Sequence, residues 1–245
     1  MIIRRQIGDP GQVWIDTIER VRSLLAGCSD AELSTPVAGA GDRAIGELVA
    51  RIDGLIGDAS SGIVHGLLDT TPSSGSTGEL VAGLGAHAEQ VTGVVGTHPD
   101  GIRLIAELAT AEQDLRSALD RHAARDDDAV ILSIEYQAGV LAERLAAAGA
   151  PGLRITCEQW GYDTAETCHE ILVADRFELF RAMNGRRSAA EVRRWMWSSD
   201  PAPFLPYLAV WGSLRETDLD EVDPTIPPEY AARLRGQNWR EPISR

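Results

Sequence analysis

Apolar residues recur at three- and four-residue intervals, one stretch after another, through the first 150 or so positions of this chain. That spacing places them on one face of successive α-helices and leaves few alternatives to a helical core. Trp14, Ile18, Val21 and Leu25 mark the first stretch, with Asp9-Pro10 as cap and first-turn proline and Gly27 as its end. Ser29-Asp30-Ala31-Glu32 is a capping box for a short following turn. Ile45, Leu48, Val49, Ile52, Leu55 and Ile56 form a second amphipathic helix, and a polar loop runs from Asp69 to Thr77. A second capping box, Ser76-Thr77-Gly78-Glu79, opens a helix to about Val95. Gly83, Gly85, Gly93 and Gly96 either weaken that helix or allow close helix contacts. After a turn at His98-Pro99-Asp100-Gly101 come Leu104, Leu108, Ala111, Leu115 and Leu119, then Val130, Ile134, Ala138, Leu141 and Leu145. Short polar links between such helices predict an antiparallel bundle.

The composition changes near Gly149-Ala150-Pro151-Gly152. Five of the six Trp and all three Phe lie beyond that point. Leu153–Glu158 alternates like a strand with one wet face, Gln159–Tyr162 is expected to turn the chain, and Cys168–Val173 reads as a second strand. A helix is expected from about Asp175 to Asn184-Gly185, another from the Ser188–Glu191 box through Trp197, and a last short one from Pro203 to Trp211. The acidic, Pro-rich tail after Thr217 is expected to run extended over the surface. The fold class is therefore α+β and mostly α, with residues 1–150 as a helical bundle and 151–245 as a small α+β module.

The net charge of −14 argues against nucleic acid, whose phosphates demand dense positive charge, and against anionic membrane surfaces. All 23 basic residues are Arg, so Schiff-base chemistry, a P-loop lysine and a lysine base are excluded. Cys28, Cys157 and Cys168 show no metal or redox spacing and read as small buried hydrophobes. The five His share no i, i+3 or i, i+4 spacing with one another. No stretch approaches the ~20 apolar residues of a membrane helix, and Met1–Gln6 offers no secretory leader, so a cytoplasmic location is expected.

Two stretches resemble the actinobacterial mycothiol-dependent maleylpyruvate isomerase family of the DinB-like four-helix-bundle superfamily. One is Cys28-Ser-Asp-Ala-Glu-Leu-Ser-Thr-Pro36 with Ile45-Gly-Glu-Leu-Val-Ala-Arg-Ile-Asp-Gly54. The other is Ala174–Ser188, containing Phe-Glu-Leu-Phe-Arg-Ala-Met-Asn-Gly-Arg-Arg-Ser, with Trp197-Ser-Ser-Asp-Pro201. The resemblance implies a DinB-like bundle over 1–150 and a divalent metal held by a His on the second helix and an E-x-x-x-H pair on the last. Those positions fall here on Arg51, Glu135 and Gly139. A guanidinium offers no lone pair and repels a cation, and glycine offers nothing, so no metal is expected.

In place of the metal, the resemblance suggests that Arg51 and Glu135 pair across the bundle mouth. Arg51 would bind an anionic or polar substrate and Glu135 would act as general acid or base. Their flanking wheel positions equally suit solvated side chains. Arg186, Trp197 and Tyr136 are candidate substrate-binding residues. Arg186 with Arg187 also suits a helix C-terminal cation pair, and Trp195, Trp197 and Trp211 also suit a module core. The expected function is a metal-independent acid–base isomerisation, cyclisation or related rearrangement in small-molecule, even specialised, metabolism. The expected site is a cleft between bundle and module. The alternatives are a non-catalytic ligand- or protein-binding member and a mycothiol-dependent transferase or isomerase. No cofactor is expected unless mycothiol serves, the expected partner is a small-molecule substrate, and the sequence leaves the oligomeric state open.

Overall fold

The computed structural model describes residues 7–158, 160–219 and 221. The fold is α+β and mostly helical. It divides into two compact units, the first spanning residues 7–133, with the division inside one helix between Ser133 and Ile134.

In the first unit the expected caps are in place. Helix α1 (Pro10–Leu25) starts where Asp9 Oδ1 accepts the Gln12 amide at 3.2 Å, and the chain leaves it through Gly27 at φ +79°. Helix α2 (Asp30–Leu33) is opened by the reciprocal Ser29–Glu32 box. A two-rung antiparallel hairpin follows, β1 (Pro36–Val37) and β2 (Arg43–Ala44), which no periodicity of that length could announce. Helix α3 spans Ile45–Ser60, α4 spans Thr77–Thr97 behind the Ser76–Glu79 box, and α5 spans Gly101–Ala118. Helix α6 (Asp128–Ala147) begins in this unit. Helix α1 packs on α4 and α5, and α3 packs on the same two. Between them lie Trp14, Ile18, Leu48, Ile52, Leu84, Leu104 and Leu108, all buried. The Trp14 indole satisfies its N–H on the Ala88 carbonyl at 3.1 Å.

The α4 glycines fall into both expected classes. A Cβ on Gly85 would lie 2.8 Å from Arg22 Nη1 and 3.2 Å from Glu19 Oε1, so this glycine lets α1 side chains come close. Gly93 and Gly96 face open space, with nothing within 4 Å. Gly93→Ala is therefore expected to stabilise the unit by about 0.5–1 kcal/mol through backbone entropy alone. A chemical-denaturation midpoint that does not rise would show that this glycine has a role the packing does not reveal.

The second unit carries a four-stranded sheet of β3 (Leu153–Cys157), β4 (Trp160–Asp163), β5 (Glu170–Val173) and β6 (Met196–Trp197), in the order β4-β3-β5-β6. Strand β3 (Leu153–Cys157) buries Leu153, Ile155 and Cys157 and exposes Arg154, the expected alternation. Within the stretch expected to turn the chain, Trp160–Asp163 instead forms strand β4, antiparallel to β3 with Cys157 opposite Trp160, and residue 159 lies outside the described residues. The reversal begins at Glu158, in the left-handed region at φ +36°. Strand β5 (Glu170–Val173) returns parallel to β3. Helix α7 (Arg176–Met183) is capped by Asp175 and followed by Gly185 at φ +70°. Helix α8 (Ala189–Arg193) has its Ser188–Glu191 box but stops short of Trp197. Met196–Trp197 instead form β6 against β5, and the Trp197 indole donates back to the Val192 carbonyl at 2.8 Å. Helix α9 is Leu205–Leu208.

The expectation of a surface-lying tail is corrected where the tail is described: Leu219 is buried and the Glu221 side chain is 9% exposed. The rest of that expectation, residue 220 and residues 222–245, lies outside the described residues. Glu221 accepts from Arg181 and from Arg187, the latter at 2.7 Å, and Arg187 also reaches Glu178. Arg181, Arg187 and Glu178 are all buried, so four opposite charges meet away from water. No helix among the described residues is long and apolar enough to cross a membrane.

Candidate functional site

The residues with chemical potential in the second unit gather on α6 and the strands beside it. Glu135 is half-buried, and its Oε1 accepts the Trp160 indole N–H at 3.3 Å. That contact exists because β4 pairs Trp160 with Cys157 at the hairpin end. Trp160 and Tyr162, two apart on β4, point to one face, and their rings stack with centroids 6.1 Å apart. One helical turn beyond Glu135, Gly139 leaves its side-chain position open. A Cβ there would meet only the Tyr162 hydroxyl, at an ordinary 3.7 Å. A single carboxylate thus stands beside an aromatic wall with a phenol one turn along.

Tyr136 faces another way, its ring 6.1 Å from that of Trp211. Fully buried Gln137 donates to Asn184 Oδ1 at 2.8 Å, and Asn184 donates to the Phe180 carbonyl at 2.7 Å, a relay that ties α6 to α7. Trp197 stacks on Phe204 at 5.8 Å. Arg186 Nη1 donates to the Asn184 carbonyl at 2.6 Å, satisfying a helix C-terminal carbonyl. Arg187 is no surface cation: it lies in the buried charge cluster. Trp195 is buried, as a core role demands.

In the first unit, Arg51 Nη1 donates to the carbonyls of Leu68 and Thr70 at 3.0 and 2.7 Å, and its Nε lies 3.3 Å from Glu47. Arg51 therefore clamps the 3₁₀ turn Leu67–Asp69 and the residue after it onto α3. Glu135 and Arg51 each have these partners within their own units. The sequence reading missed Trp160, the indole that holds Glu135, because it placed that residue in a turn.

The histidines are engaged singly: His65 with Asp58 at 2.8 Å, His87 with Asp53 at 3.0 Å, and His122 with Asp120 at 3.0 Å. All three cysteines are free thiols. Cys157 is buried as expected, and burial pushes its thiol pKa upward. Cys28 and Cys168 are half-exposed, because each sits outside regular structure at a chain reversal, and this corrects their reading as core residues. No group of three or more His, Cys, Asp or Glu able to hold a metal ion occurs among the described residues. The donor set the resemblance would need for a metal does not fit either. Arg51 has donors only and spends them on carbonyls, and Gly139 has no ligand atom.

No protein-family model, no curated protein and no solved structure matches the chain.

Proposed function

We propose that the chain is an enzyme of small-molecule metabolism akin to the maleylpyruvate isomerases of the DinB-like superfamily, working by acid–base chemistry without a metal. The observation that carries this reading is Glu135, a half-buried carboxylate oriented by the Trp160 indole. The indole N–H fixes one carboxylate oxygen and leaves the other to take a proton from an acidic C–H of the substrate and return it to a neighbouring carbon. The Trp160–Tyr162 wall offers an apolar surface for an unsaturated or enolic substrate. The Tyr162 hydroxyl beside Gly139 is a donor for charge developing on a substrate oxygen. Substrate, product and protein balance without oxidant or transferred group.

The test is solvent-deuterium exchange with a panel of unsaturated keto acids. Wild type is expected to incorporate deuterium into at least one. Glu135→Gln is expected to slow that exchange by about 10²–10⁴-fold while far-ultraviolet circular dichroism is unchanged. Exchange in neither protein, or equal exchange in both, would sink the proposal. Ligand retention without exchange would favour a non-catalytic binding protein.

A further inference from the structure

A second feature of the first unit is independent of Glu135. An open surface pocket of about 440 Å³ is lined by Glu19, Arg20, Ser23, Leu24, Arg116 and Arg121, so the C-terminal half of α1 forms one wall and the end of α5 with the turn after it forms the other. Half the lining residues are arginines, in a chain whose net charge is −14. Such a cluster repels itself unless something holds it, and the holding groups are visible.

The Glu112 carboxylate, 1% exposed, accepts from Arg20 Nε at 3.0 Å and from Arg116 Nη2 at 2.8 Å, so one buried anion orients two guanidiniums. Arg116 Nη1 also donates to the Arg121 carbonyl at 3.1 Å. Arg121 is fixed in turn by the Leu24 carbonyl at 2.8 Å and by Glu32 at 2.7 Å. Asp127 lies 3.0 Å from Arg20, and the one acid in the lining, Glu19, is taken up by Arg22 at 2.6 Å. These bonds leave Arg20 Nη1 and Arg121 Nε with no acceptor among the described residues. Preorganised guanidiniums with unspent donors are the usual means of gripping a carboxylate or phosphate. The volume lies in the range of small-molecule sites.

We propose that this pocket binds a small anionic metabolite through a carboxylate or phosphate group, gripped by Arg20 and Arg121, with Arg116 as the positioning residue that links Glu112 to the Arg121 carbonyl. Ser23 stands exposed in the wall, and its hydroxyl makes no hydrogen bond among the described residues. A side chain can therefore be changed there without cutting the internal network.

The experiment is calorimetric titration of the full chain at low ionic strength with inorganic phosphate and, separately, with succinate. The two arms tell a phosphate site from a carboxylate site. Saturable binding of at least one, with a Kd near or below ~1 mM, is expected. Ser23→Glu, which puts a negative charge in the wall, is expected to weaken it at least tenfold. Ser23→Ala is expected to leave it unchanged, and Arg121→Gln to weaken it comparably to Ser23→Glu. Arg121→Gln also loses the Glu32 and Leu24 bonds, so Ser23→Glu is the variant that decides if Arg121→Gln fails to fold. Saturation by neither anion, or equal affinity in Ser23→Glu and Ser23→Ala, would overturn the proposal.

Discussion

Glu178→Gln is expected to cost the second unit about 3–5 kcal/mol of stability, as breaking a buried ion pair does when the other charge stays behind. Glu178 and Arg187 are 4% and 3% exposed, and the carboxylate takes both Nε and Nη2 of the guanidinium, at 2.5 and 3.2 Å. Burial alone would lower the Arg187 pKa, but Glu178 and then Glu221 outweigh it and raise the value, so the cation cannot escape by losing its proton. A neutral amide would leave Glu221, which Arg181 also claims, as the one carboxylate hydrogen-bonded to that cation among the described residues. Urea unfolding checks this, provided the m-value is unchanged. The paired replacement Glu178→Leu with Arg187→Met is expected to cost less than Glu178→Gln, because it removes both charges. A loss below ~1 kcal/mol for Glu178→Gln would mean that water reaches the cluster.

Acid should dismantle the same cluster in a defined window. Burial opposes ionisation of Glu221, yet Arg181 and Arg187 outweigh it and bring its pKa from 4.5 down to about 2. A carboxyl whose folded value is depressed contributes stability above its unfolded value and loses it as pH falls through the folded one. The window therefore runs from about pH 4.5 down to about 2, and the contribution at neutral pH is about 3 kcal/mol. Neighbouring Glu191 works in the opposite sense. Burial raises its pKa, so its ionisation costs stability as pH rises above the ordinary carboxylate range. Stability measured by denaturant between pH 7 and pH 2 should fall less steeply in Glu221→Gln than in wild type. Parallel profiles would show that Glu221 titrates normally.

What the residues disclosed about the fold was local. The Ser29, Ser76 and Ser188 boxes and the Asp9 and Asp175 caps stand where their side chains put them, because a cap is decided within one turn of helix. Strand β3 was legible from its alternation. The failures share a cause: partners distant in sequence. Trp160–Asp163 is a strand because β3 offers an edge, and α8 stops at Arg193 because β5 recruits Met196 and Trp197. The Glu221 side chain is drawn inward because Arg181 and Arg187, 40 and 34 residues earlier, need an anion. The candidate site divides in the same way. Glu135 was singled out only through the resemblance to the maleylpyruvate isomerases, whereas the indole that orients it depended on a hairpin partner.

Gly139 has a consequence of another kind. On the proposed kinship with the maleylpyruvate isomerases, this position once carried a ligand side chain. The position is open: the nearest atom to an added Cβ is the Tyr162 hydroxyl, at ordinary contact distance. On that proposal, one substitution would put a side chain back here, one turn from Glu135 on the same helical face. Position 51 is the opposite case, because Arg51 holds the carbonyls of Leu68 and Thr70, and replacing it would release a loop as well as a charge.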